Sequence, residues 1–219
     1  IINVAGLAVG IASCIIIVLF VLGELSFDRH HQFADRIYRV NTEIKFGGNH
    51  FRMAHANSAL PEILADNFPE IESFVRTKSS GLRFVKNAQG SENFKETRVR
   101  WADSTFFKVF SVPLVEGNAE KALTEPNTVA ISRTIAEKYF PNGNAIGGSP
   151  VFDNNWNHKV TAIFEDIPAA SHFHHDILIA MAGLDDIESV SLVSGSDFTA
   201  YLLLRDGADS EKLEEKFPG

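Results

Sequence analysis

Three histidines and an acid crowd into the run SHFHHD at residues 171–176, where His172, His174, His175 and Asp176 offer imidazole and carboxylate ligands of the kind that hold divalent transition metals. In an extended segment successive side chains point to opposite sides. His172 and His174 then share a face while His175 points away, so only two imidazoles converge. A structural role for His172 and solvent exposure for His174 and His175 are therefore expected, with no metal ligand assigned. His30 and His31 form a second pair upstream, beside an apolar segment, placed to report pH or to do nothing. Paired acids occur as Asp185 with Asp186 and Glu214 with Glu215, but adjacent side chains diverge and read as solvated positions rather than as an acid and base acting together.

The motifs that would place a reaction are missing. No G-x-x-x-x-G-K-[ST] loop occurs, so this chain by itself is not expected to hydrolyse nucleotides. Neither H-E-x-x-H nor a G-x-S-x-G nucleophile elbow is present. No catalytic, cofactor-binding or metal-ligating residue is assigned, and the chain is expected to be noncatalytic. The acid excess, 28 Asp and Glu against 20 Lys and Arg for a formal net charge of -8, argues against a surface built to neutralise phosphates, so nucleic acid is not an expected partner. The single Cys14 excludes an internal disulfide framework and a cysteine-based zinc knuckle. No Asn-x-[ST] sequon occurs, which mildly favours a bacterial setting.

With 219 residues, 45% of them hydrophobic and 22% charged, the chain can bury a substantial core. Residues 4–23, VAGLAVGIASCIIIVLFVLG, carry no charge and only Ser13 as an ordinary polar side chain. At a rise of about 1.5 Å per residue this stretch covers roughly 30 Å, the thickness of a bilayer's hydrocarbon core, which predicts a transmembrane helix. A buried core helix is the weaker alternative. A cleaved signal peptide is disfavoured because the apolar run is too long and no small-x-small site follows it. The chain opens on Ile1 rather than Met, so it is expected to be a piece of a longer protein. Gly6, Gly10 and Ser13 make a small-residue stripe on which another helix can pack. Beyond the helix, Glu24, Asp28 and Asp35 balance Arg29, Arg36 and Arg39. This flank lacks the Lys and Arg excess of a cytoplasmic loop, which places the bulk of the chain outside.

The remainder mixes strand and helix patterns. Residues 36–44 alternate as one strand, Ser58 is placed to cap a helix through residue 67 that Pro69 stops, and residues 71–78 make a second strand. Residues 82–86 and 94–101 flank a polar turn at 87–93, predicting a hairpin. Asp103 is placed to cap a short helix whose Phe106, Phe107 and Phe110 belong to a core rich in phenylalanine, 18 in all. A strand at 128–131 leads into a helix capped by Ser132 and ended by Pro141 and the turn NGN. Short strands around the turn DNNWN at 151–152 and 159–164, further strands at 176–180 and 199–204, and a last helix at 210–217 complete an α+β reading. Two subdomains are expected, with residues 80–164 inserted between outer sheet-forming parts.

The run ELSFDRHHQFADRIYRV, directly after a helix that begins INVAGLAVGIA, resembles the first helix and exit segment of FtsX-like ABC transporter permeases. The later pieces ADSTFFKVFSVPLVEG, EPNTVAISRTIAEKYFPNGNAIGG and KVTAIFEDIPAASHFHHDILIAM follow in the order of the MacB-like periplasmic core domain. The resemblance covers nearly the whole chain. It departs from the family pattern at Ala170, where Asn is usual, and at His174. It implies a noncatalytic permease subunit with four transmembrane helices in the bacterial inner membrane, whose periplasmic domain lies between the first and second. This chain would hold helix one at residues 1–23 and the domain at 24–219, divided into a porter-like part at about 24–79 and 165–219 and an inserted part at about 80–164. The implied partners are a cytoplasmic ABC ATPase subunit that binds the ATP, a second permease copy, a periplasmic adaptor or cargo protein, and membrane lipid. On the order of elements alone, the ligand-sensing ectodomain of a membrane receptor such as a sensor kinase is the alternative.

Overall fold

Helix α1 (Ile2–Leu25) is apolar on every side, and side chains such as Val4, Ile16 and Phe20 lie open along it. A helix with no polar face has no stable place in water. Asn3–Leu25 is long and apolar enough to cross a membrane, and no part of its most apolar window is covered by the rest of the chain, which removes the buried core helix as an alternative. Ser13 turns its hydroxyl back onto the Val9 carbonyl at 2.9 Å, satisfying its polar group within the helix.

The computed structural model describes residues 2–25, 27–86, 93–153, 156–184 and 197–217. After a short 3-10 turn at Ala34–Arg36 come β1 (Ile37–Val40), β2 (Thr42–Phe46), β3 (Asn49–Met53), α2 (Leu60–Asn67), β4 (Ile71–Ser79), β5 (Arg83–Lys86), β6 (Phe94–Glu96) and β7 (Val99–Ala102). Then follow α3 (Phe106–Phe110), β8 (Leu114–Gly117), β9 (Thr128–Ser132), α4 (Arg133–Tyr139), β10 (Val151–Phe152), β11 (Trp156–Asn157), β12 (Lys159–Phe164), β13 (Ile177–Ala180), β14 (Phe198–Leu204) and α5 (Ser210–Glu214). A mixed eight-stranded sheet runs β1-β14-β4-β7-β13-β9-β12-β8, taking strands both from the outer stretches and from residues 80–164. A four-stranded sheet, β11-β10-β5-β6, and the hairpin β2-β3 stand beside it.

The central strands of the large sheet are buried on both faces, and their two-residue period assigns each side chain to a face. On β13, Leu178 and Ala180 join one core with Val75, Phe106, Phe110 and Phe173, while Ile177 and Ile179 join the opposite core with Trp101, Ile131 and Phe152. On β14, Tyr201 and Leu203 face the phenylalanine core, whereas Leu202 and Leu204 pack with Leu64 of α2 and Leu213 of α5. The expected Phe106, Phe107 and Phe110 are all buried there. At the sheet edge Gly117 is required: its φ is +106°, and a Cβ would come 2.7 Å from the Thr161 carbonyl oxygen of β12.

Several local expectations change. The strand expected at 36–44 is two strands broken at Asn41: β1 pairs with β14, while β2 turns back on β3 through Gly47 and Gly48, both at positive φ. The run 94–101 likewise divides into β6 and β7, which enter different sheets. β5 and β6 do pair antiparallel as a hairpin, but its turn at 87–92 lies outside the described residues, as do residues 154–155 of the DNNWN turn. Ser58 does not cap α2. Ala59 holds the cap position in helical conformation, its N–H bonding Asn57 Oδ1 at 2.9 Å, and the Ser58 carbonyl is taken by Arg76. Ser132 does cap α4, accepting the Ile135 N–H at 3.3 Å.

Asp103 makes no side-chain cap on α3 either. Its carboxylate is bound by the Arg76 backbone N–H at 2.7 Å and by the Arg76 guanidinium through Nε and Nη2 at 2.9 Å each. Both side chains are nearly covered, at 11% and 12% exposure, so the fork satisfies a charge that burial alone would penalise. The pair pins the turn before α3 to β4 and so sets the phenylalanine cluster on the sheet. Removing the central ring tests that packing: Phe106→Ala is expected to lower the unfolding free energy by about 3–5 kcal/mol, read as a shift of the urea midpoint without loss of the native fold in buffer.

Candidate functional site at the membrane exit

Three residues after α1 ends, Asp28 takes a left-handed conformation with φ of 57°, which a short polar side chain tolerates. Its backbone N–H bonds the Ala170 carbonyl at 2.9 Å. Its carboxylate collects the segment that follows: Oδ1 accepts the His172 backbone N–H at 2.9 Å and the Ser171 hydroxyl at 3.3 Å, and Oδ2 meets His172 Nδ1 at 2.9 Å. The far side of the His172 ring continues the chain of contacts, with Nε2 at 2.8 Å from the Tyr201 hydroxyl on β14. Asp28, His172 and Tyr201 thus form a polar ladder from the helix exit to the middle of the large sheet.

His31 inserts beside this ladder. It is 5% exposed, and its Nδ1 lies 2.6 Å from the Phe110 carbonyl, so Nδ1 carries the proton and Nε2 bears the lone pair. Nε2 has no hydrogen-bond partner among the described residues and sits 3.9 Å from Asp28 Oδ1. The ring stacks toward Phe173 at 5.7 Å, and Phe173 stacks on His175 at 4.9 Å with the planes 15° apart. His30 lies against His31, ring centroids 4.0 Å apart, and is exposed.

Burial disfavours the charged forms of His30, His31 and His175, while the hydrogen bonds around Asp28 favour its carboxylate form. Burial pushes Asp28 upward, but the backbone and side-chain hydrogen bonds and the charge of His172 outweigh it and hold Asp28 below its ordinary value. Burial pulls His30 and His31 down, in His31 against the hydrogen bond to Phe110. His175 is driven furthest, to about 3, by burial first and then by the charge of Arg100.

The residues weighed from sequence are only partly reunited. His172 has a structural role, as expected, and His174 is exposed. His175 is buried, contrary to expectation: residues 171–175 alternate buried and exposed, so with His172 and His174 outward His175 turns inward and stacks on Phe173. Glu214 and Glu215 are exposed at the end of α5, and Asp185 with Asp186 lies outside the described residues. Sequence reasoning overlooked Asp28, read there only as one charge in a balanced flank. The signal was the run DRHH, an acid and two imidazoles within four residues at the helix exit. A second buried carboxylate, Glu96, accepts from Lys138 Nζ and the Tyr139 hydroxyl at 2.7 Å each and fastens α4 to β6.

The pattern of the MacB-like periplasmic core domain matches residues 1–218, and the chain belongs to that family, the periplasmic domains of ABC transporter-type permeases. The fold agrees with solved structures. A domain of a permease protein from Porphyromonas gingivalis superposes with a TM-score of 0.73 at 21% identity, over 84% of this chain and 82% of that one. The periplasmic region of MacB from Actinobacillus actinomycetemcomitans gives 0.56 at 14% identity, over 82% and 78%. The extracellular domain of the noncanonic ABC-type transporter YknZ from Gram-positive bacteria gives 0.56 at 11%, over 81% and 86%. At these identities the likeness is one of fold. No curated protein matches the chain.

The buried neutral His175 carries a pH signature. An unfolded histidine takes up its proton near pH 6.5, the folded one only near 3, so the contribution is complete above about pH 6.5 and is lost progressively as pH falls toward 3. Between pH 7.5 and 5 this one group removes about 2 kcal/mol. Urea unfolding of the wild type and of His175→Gln at both pH values checks it, with the variant expected to lose about that much less on acidification.

Proposed function

We propose that this chain is the first membrane helix and periplasmic domain of a noncatalytic ABC permease subunit, which carries motion driven by a separate cytoplasmic ATPase to the outside of the membrane. The observation that carries the reading is the junction at Asp28. A membrane helix that ended in a slack linker would transmit nothing, because a flexible tether absorbs displacement. Here the chain turns within three residues of α1 and is fixed at once to Ala170, Ser171 and His172, and through His172 to Tyr201 in the sheet. Movement of α1 then displaces the domain as a body. The complete subunit has further membrane helices in the bacterial inner membrane and pairs with a second copy. ATP binds in the partner ATPase, so no nucleotide site is needed in this chain. The acidic outer domain works on a periplasmic adaptor or cargo protein.

Two measurements on the full-length gene product test this. Co-expressed with the ABC ATPase encoded beside it, the protein is expected to co-purify from detergent with ATPase activity. Failure to co-purify, with a kinase domain encoded downstream, would move the same ectodomain to a signalling receptor. Spin labels on exposed positions of the two domains in that complex should change their separation between nucleotide-free and ATP-trapped states. A Gly-Ser stretch inserted after Gly23 should abolish the change while hydrolysis continues; an unchanged distance shift in the insertion variant would refute rigid transmission.

A further inference from the structure

We propose that Asp28, His30 and His31 form a binding site for a divalent transition-metal ion of the zinc class at the point where α1 meets the domain. One ligand atom from each of the three residues lies within 4.8 Å of the other two. Bonds of about 2.0–2.2 Å to nitrogen and oxygen set ligand atoms roughly 3.3–3.6 Å apart in a tetrahedron. The constellation therefore needs to contract by at most about 1.2–1.5 Å, a movement assigned to the exposed His30 side chain.

The decisive residue is His31. Its Nδ1 proton is committed to the Phe110 carbonyl at 2.6 Å, which fixes the ring and directs the Nε2 lone pair toward Asp28. That nitrogen is buried and has no donor among the described residues. A buried acceptor left without a donor is costly, and cores rarely keep one without a purpose. Imidazole held through its other nitrogen by a backbone carbonyl is the arrangement in which histidine binds metals, since the second bond selects the tautomer and orients the ring. Asp28 is prepared in the same way. His172 Nδ1 engages one carboxylate oxygen and the His172 N–H and Ser171 hydroxyl engage the other, so the group is fixed before any ion arrives.

Two imidazoles and one carboxylate favour zinc, nickel or copper over magnesium and calcium, which prefer oxygen alone. Three protein ligands leave a fourth position for water, and the exposed His30 provides the entry path. All three ligands belong to one turn, while the groups that orient them, Phe110 and His172, belong to the domain. A bound ion stiffens the turn through which the chain leaves the membrane. The site stands on its own geometry, independently of whether the protein transports anything.

The test uses the tag-free chain, with its membrane helix, purified in detergent and treated with chelator. Zinc titration by calorimetry, with cobalt absorption as a probe of ligand geometry, is expected to show one ion per chain and the spectrum of a site with nitrogen and oxygen ligands. His30→Ala changes an exposed side chain and should weaken binding at least roughly tenfold while the circular dichroism spectrum is unchanged. His31→Gln should do the same or more. His174→Ala, an exposed histidine outside the constellation, should leave affinity unaltered. Absence of stoichiometric binding would overturn the proposal, and so would equal affinity in the His30→Ala and wild-type proteins.

Discussion

Everything in this molecule hangs on how a helix with no polar face hands its chain to a water-exposed sheet domain. α1 has no polar face with which to pack on a soluble domain, so the connection has to be made by the few residues that follow it. Asp28 makes it. Its left-handed backbone turns the chain, and its carboxylate gathers three donors from residues 171 and 172, more than 140 positions away in sequence. Charge-assisted bonds of this kind are stronger than neutral ones, and their partial burial shields them from solvent competition.

The ladder ends in a packed part of the sheet. Tyr201 lies on β14, flanked in the sheet by β1 and β4, and its ring packs on Phe110 at 5.1 Å. Phe110 in turn presents its carbonyl to His31 and its ring to Phe173 at 4.7 Å. The phenylalanine core and the membrane exit are therefore one packed unit, with α3 held against the sheet by the Arg76–Asp103 fork. Aromatic rings give this unit a large buried area with few rotatable bonds. The unit behind the helix exit is a close-packed interior of low compressibility.

Much of the architecture was legible because it is local. The helix cap at Ser132, the short strands near 128–131, 159–164 and 199–204, and the burial of Phe106, Phe107 and Phe110 follow from side-chain type and spacing over a few residues. The failures share a cause. Asp103 and Ser58 look like caps in isolation, but Arg76, distant in sequence, claims the carboxylate of one and the carbonyl of the other. His175 looks exposed as one of three polar neighbours, but the face opposite His172 and His174 is the core side, where Phe173 stacks on it. The run 36–44 looks continuous, but its halves find different partners, β14 for one and β3 for the other.

By itself the sequence determined the membrane helix, the α+β class, the lack of familiar catalytic motifs and, through the order of its motifs, the family. These depend on composition and short-range pattern, which survive whatever the chain does elsewhere. Only the tertiary structure decided that Asp28, His31, His172 and Tyr201 belong together, drawn from a turn, a loop and a strand that no periodicity connects. It also decided which imidazole is exposed, which is bonded and which keeps an unpartnered nitrogen. Those outcomes depend on packing against distant residues, and burial rather than residue type sets the state of a titratable group.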